Sequence, residues 1–208
     1  MLPPRPIPPK SLIEDFFPYI KIEPAPEIAN WVNEHILNEN GEIYNNDHFH
    51  LIDADIGFLW AASPFTKKGK NILGQCEEVA FRAGGWQKAR MEQQMYNWFG
   101  RIPDFVITLA ADYCSICSDL DFCALVEHEL YHIAQKTDEY GSPKFTQEGL
   151  PKLQIRSHDI EEFIGVVRRY GASDEIKQLV KTAETKPEIG NAAIARACGT
   201  CALKIVKT

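Results

Sequence analysis

Two histidines and a glutamate stand at metal-binding spacing in the run Ala124-Leu125-Val126-Glu127-His128-Glu129-Leu130-Tyr131-His132-Ile133-Ala134. On a helix, residues four apart share a face, so His128 and His132 can hold one Zn²⁺ while Glu129 between them reaches a water on the metal. That combination hydrolyses amide bonds, with the carboxylate moving the proton. Three residues are a short pattern, and their context has to support them. With His128 as origin and about 100° per residue, His132 falls near 40° and Gln135 near −20°, whereas Phe122, Val126, Leu130 and Ile133 gather between roughly 120° and 200°. The ligand face and the core face are therefore opposed, as a helix needs if one side is anchored and the other opens to a cleft. Ser118-x-x-Asp121 has the capping-box pattern and places the helix start at Ser118 to Leu120.

A hydrolytic zinc keeps three protein ligands and one open position, so a third His, Glu or Asp must come from elsewhere. His35 lies on an early helix as a half-buried polar residue. His48 and His50 flank Phe49 ahead of a strand, where an edge or loop role, or lining a cleft, is expected. His158 is the favoured candidate. On a helix over about Ser157 to Tyr170 it stands opposite the stripe Ile160, Phe163, Ile164 and Val167, with Glu162 beside it one turn on. Glu161 or Glu162 is the alternative ligand, with His158 or Asp159 then orienting the groups on the metal.

These residues must be positioned by the elements around them. Pro26 and the apolar positions Ile28, Trp31, Val32 and Ile36 predict an amphipathic helix ended by Asn38-Glu39-Asn40-Gly41. Ile56–Ala61 and Phe105–Ala110 are short apolar runs bounded by turn residues and read as central strands. A further strand pair is expected within Ile72 to Ala83, a helix over Lys88 to Trp98 stopping at Gly100, a turn-rich loop at Asp138 to Lys144, and a last helical region from Ser173. The order is helix, strands with an intervening helix, the motif helix, then more helices. Residues 1–10 hold five prolines, and residues 1–20 read as a proline-rich arm ahead of one domain over 21–208 with a helical C-terminal extension.

The chain of 208 residues carries 22 Lys and Arg against 29 Asp and Glu, a formal charge of −7, which argues against a nucleic-acid groove as its main surface. Lys67-Lys68-Gly69-Lys70 reads as a solvated loop. The sequence has no run of about 18 apolar residues and no apolar signal segment after Met1, so the expectation is a soluble cytoplasmic protein with no membrane partner. Six cysteines in that setting point to thiols or metal ligation rather than disulfides. Cys114-x-x-Cys117 and Cys198-x-x-Cys201 could together form a structural Cys₄ zinc site, but both pairs sit among apolar residues and are expected to be core thiols. The expected load is one zinc per chain.

Taken together, Pro103-Asp104-Phe105-Val106-Ile107, the motif run to His132, His158-Asp159-Ile160-Glu161-Glu162-Phe163 and Val166-Val167-Arg168-Arg169-Tyr170-Gly171 resemble the putative phage metallopeptidase family, and more distantly SprT-like zincins. The likeness covers roughly residues 45 to 171. It implies an α+β zincin-like fold with a small twisted sheet over the motif helix, His128 and His132 as ligands, Glu129 as catalytic base and His158 at the third position. It brings no established substrate. The expected function is zinc-dependent hydrolysis of peptide bonds in a protein or peptide, with Tyr131 either lining the cleft or packing. The strand around Val106 to Ala110 is expected to offer an edge to the substrate. Two rivals remain at this level: a non-enzymatic zinc-stabilised binding or inhibitor protein, and a SprT-like protease acting on DNA-associated protein, which the acidic balance disfavours.

Overall fold

The apolar runs at 56–61 and 105–110 become the two inner strands of a four-stranded sheet in the computed structural model, which describes residues 2–67, 69–160, 167 and 171–192. The elements are α1 (Lys10–Glu14), β1 (Ile22–Pro24), α2 (Pro26–Val32) running into a π turn over Asn33–Leu37, a 3₁₀ turn over Asn46–Leu51, β2 (Ile56–Ala61), β3 (Phe65–Lys67), β4 (Lys70–Ile72), β5 (Gly74–Glu78), α3 (Gly85–Phe99), β6 (Phe105–Ala110), α4 (Ala111–Ile116), α5 (Asp119–Tyr131), β7 (Ile133–Gln135), β8 (Leu153–Ile155) and α6 (Asp174–Ala183). This is a mixed α+β architecture with a small sheet and several helices.

The sheet runs in the order β1-β2-β6-β5. β2 and β6 are parallel, pairing Ile56 with Phe105 through Ala61 with Ala110, and the outer strands β1 and β5 are antiparallel to them. Continuous apolar sequence fits this, since an inner strand covered on its faces has no need to alternate. β6 is bonded along both sides and has no edge to offer a peptide, which corrects the expectation for Val106 to Ala110. The strands that end the sheet are β1 and β5, and β5 is the one beside Glu129. Within 72–83 the structure has the end of β4 at Ile72 and the whole of β5, which do not pair with each other, because the partner of β5 is β6 rather than a neighbour in sequence. Lys67 and Lys70, expected in a solvated loop, are paired strand residues of a separate hairpin, β3 with β4.

Helix α5 lies on the sheet through the face the periodicity marked. Phe122, Leu125, Val126 and Leu130 are buried, and Phe122 meets Trp31 edge-on at 5.2 Å and Trp60 at 6.4 Å between ring centres. Trp31 comes from α2 and Trp60 from β2, so one aromatic cluster joins the two helices to the sheet. The proline-rich start lies against this body instead of standing away from it. Pro3 and Pro8 are buried, Leu12 of α1 is fully so, and Trp31 Nε1 donates to the Pro4 carbonyl at 2.9 Å. Arg5 reaches Asp119 at 2.8 Å and donates to the Cys114 and Ser115 carbonyls, closing the C-terminal end of α4 just before α5 begins.

Candidate metal centre

Helix α5 starts where its cap dictates. The Ser118 hydroxyl accepts from the Asp121 backbone N–H at 3.1 Å, satisfying one of the first-turn donors, and donates to the Asp121 carboxylate at 2.7 Å. The helix then carries His128 and Glu129 and stops at His132, which is its C-cap rather than an interior residue. The chain turns at once into β7, so Gln135, expected on the ligand face of a longer helix, is in a strand that pairs antiparallel with β8.

His132 joins these two structures. Its backbone N–H bonds to the Glu129 carbonyl within the helix at 3.2 Å, while its carbonyl accepts from Arg156 N–H at 2.9 Å. The ring Nδ1 stands 2.9 Å from the Arg156 carbonyl. A carbonyl only accepts, so Nδ1 carries the proton and Nε2 is the nitrogen with the lone pair. Burial to 2 % exposure holds the ring in that pose.

The hairpin β7–β8 brings His158 back over the helix. His158 Nε2 lies 3.0 Å from His128 Nε2, and the three ring centres of His128, His132 and His158 are 4.9 to 5.1 Å apart. One ligand nitrogen from each lies within 4.8 Å of the others, and among the described residues this is the one group of three potential ligands so placed. Two imidazole nitrogens on a tetrahedral zinc, at bonds of about 2.0 to 2.1 Å, are separated by about 3.3 Å, so the spacing suits a metal of that kind. Burial first, then the two neighbouring imidazoles, hold the basicity of His128 down to about 4. The ring is neutral at pH 7, the state a ligand requires.

His158 reaches this position by a route the periodicity did not suggest. Residues 157–160 are not helical; His158 lies three residues past the end of β8 and so does not stand opposite an apolar helical stripe. The reason is the β7–β8 pairing, which extends the chain up to Arg156 and leaves no helical turn for His158 to join. Glu161 and Glu162, the alternative ligands, lie outside the described residues, as does most of the expected helix over 157–170.

Glu129 is fully buried next to β5, an end strand of the sheet. A Cβ placed on Gly74 of β5 would come 2.7 Å from Glu129 Oε1, so the carboxylate occupies space that only glycine leaves. On the other side, a cleft of about 1090 Å³ opens over the imidazoles, walled by Tyr131 and Arg156 and faced by Gln178, Leu179 and Thr182 of α6. The Tyr131 hydroxyl accepts from Asn45 at 3.0 Å and donates to Asp47 at 2.8 Å, and its ring packs on His48 at 4.5 Å. Tyr131 thus lines the cleft with its hydroxyl already engaged. His50 also faces the cleft, with Nε2 at 2.8 Å from the Ile133 carbonyl, while His35 pairs with Glu42 elsewhere. Gly74, Asn45, Asp47 and Arg156 were not legible as site residues, since each acts through a contact with a sequence-distant element; the one local signal was Arg156, two positions before His158.

The thiols of Cys76, Cys114, Cys117 and Cys123 are buried and in no disulfide. Cys117 Sγ bonds to the Cys114 carbonyl at 3.7 Å, the packing expected of core thiols. Cys198 and Cys201 lie outside the described residues. No helix among the described residues is long and apolar enough to cross a membrane.

A family model described as "Putative phage metallopeptidase" matches residues 21–184. No curated protein and no solved structure matches the chain.

Proposed function

The chain belongs to the putative phage metallopeptidase family, and from that premise we propose that it is a zinc-dependent peptidase whose metal is held by His128, His132 and His158 and whose general base is Glu129. The observation that carries this reading is the convergence of three imidazoles, from a helix, its cap and the segment that follows β8, beside a buried glutamate. Zinc, when bound there, supplies a water acidified towards a pKa of about 7 and polarises the scissile carbonyl. Glu129 takes the proton of the attacking water and delivers it to the leaving amine. Its burial against Gly74 holds the carboxylate in one place and keeps bulk water from competing for it. His132 keeps its Nδ1 proton on the Arg156 carbonyl through the cycle and so stays in the tautomer that binds metal. An extended peptide is taken along β5, the strand that ends the sheet beside Glu129, by main-chain pairing.

The deciding experiment is metal analysis of the purified protein together with hydrolysis of casein or a peptide library by wild type and Glu129→Gln. The expected result is about one zinc per chain in both proteins and a loss of at least 10²- to 10⁴-fold in hydrolysis for the variant, the usual share of a general base. Equal hydrolysis by the variant would remove Glu129 as the base, and zinc retained with no hydrolysis by either protein would favour a protein that uses its metal only to hold the fold.

A further inference from the structure

The third imidazole is carried by no regular element. The β7–β8 ladder closes at the His132–Arg156 pair, and His158 stands two residues past it on an exposed stretch. The Arg156 side chain spans that gap. Its Nε donates to the Tyr131 carbonyl at 2.8 Å, one of the last carbonyls of α5, and its Nη1 lies 3.3 Å from the carboxylate of Asp159. The guanidinium also sits 5.9 Å from the centre of the Tyr131 ring. One planar cation therefore holds the end of the helix that bears His128 and the residue next to His158. A guanidinium suits this role because its donors are fixed in a plane, whereas an ammonium offers a point charge with no preferred direction.

We propose that Arg156 is the positioning residue of the third ligand, a brace that ties the His158 segment to the C-terminal end of α5 so that the His158 ring meets His128 before metal arrives. The proposal rests on the metal reading above. It differs from an ordinary surface ion pair in what it predicts. Asp159 is 76 % exposed and Arg156 40 %, and such a pair with no other duty would change zinc affinity by less than about fivefold. A brace on a ligand segment should change it by about ten- to a hundredfold, as loss of other supports of metal ligands does.

The test is zinc affinity, by competition with a chromophoric chelator, for wild type, Arg156→Gln, Arg156→Lys and Asp159→Asn, with thermal unfolding of each metal-free protein. Arg156→Gln should bind zinc about ten- to a hundredfold more weakly while the metal-free unfolding midpoint stays near that of wild type. Arg156→Lys should recover only part of the loss. In a His158→Ala background, read at millimolar zinc, Arg156→Gln should cost nothing further, because the segment it positions no longer carries a ligand. An equal loss in both backgrounds would assign Arg156 to general support and overturn the proposal, as would wild-type affinity in Arg156→Gln. Should Arg156→Gln fail to fold, Arg156→Lys and Asp159→Asn take the same comparison against His158→Ala. A wild-type protein that binds no zinc would overturn the metal reading itself, and the brace with it.

Discussion

The carboxylate of Glu129 and the missing side chain of Gly74 are two halves of one fit. Gly74→Ala places a methyl group 2.7 Å from Glu129 Oε1, and the glutamate, being the flexible partner, must move. Zinc binding should survive and turnover should fall about a hundredfold, since displacement of a catalytic group by about an ångström costs that much; unchanged kcat would show that Glu129 is not held by this contact. His48 offers a test of a different kind. It is fully buried, neither ring nitrogen has a hydrogen-bond partner, and burial, helped by the nearby His50 and opposed by Asp47, lowers its pKa to about 4. The fold accepts the neutral ring, while the unfolded chain takes up its proton near pH 6.5. Stability from this source is complete above about 6.5, falls as the pH drops towards 4, and the loss amounts to roughly 3 kcal/mol once both forms are protonated. In metal-free protein, His48→Phe should flatten the pH dependence of the unfolding free energy between pH 6.5 and 4; parallel curves for the two proteins would contradict the account.

Elements whose cause is local were legible from sequence, and those whose cause is a distant partner were not. Ser118 capping α5, Gly100 ending α3 in the left-handed region at φ 68°, Ser173 capping α6 and the two inner strands all stand where the residues put them. The end strand β5, the short hairpin β7–β8 and the non-helical stretch at His158 depend on pairing across long separations, which periodicity does not report. His128, His132 and His158 lie close together, and the geometry that joins them comes from a hairpin whose first strand, Ile133–Gln135, reads in sequence as more of the motif helix. A comparison of alanine variants tests the third position at this scale. His158→Ala should lose zinc almost entirely, because two imidazoles cannot fix a tetrahedral site, and Glu161→Ala and Glu162→Ala should retain it within about a hundredfold. Tight zinc binding by His158→Ala would transfer the third position to a carboxylate.

Across the molecule, the N-terminal segment, the sheet and the β7–β8 hairpin all meet α5, and the three-histidine cluster lies at the helix end where that hairpin begins. His132 gives its N–H to the helix, its carbonyl to the hairpin and its Nδ1 proton to the residue opposite, leaving a single nitrogen for the cleft. The backbone donor that an antiparallel pair would normally supply at this place is already used, and the imidazole stands in for it. Alignment of the hairpin and readiness for metal are consequently one variable. Were β8 to slip by one residue, the ring would lose its acceptor and His158 would face away, so a misaligned chain is also one that cannot load. The hairpin's far end is under no such constraint. Tyr140 is 84 % exposed and Gly141 turns at φ 84°, so inserting Gly-Gly-Ser between them should leave zinc affinity within about threefold of wild type, loop closure growing only slowly with length. Chain length at the 140–141 turn is then free to vary, as long as what returns is an arginine across from His132 with a histidine two steps on.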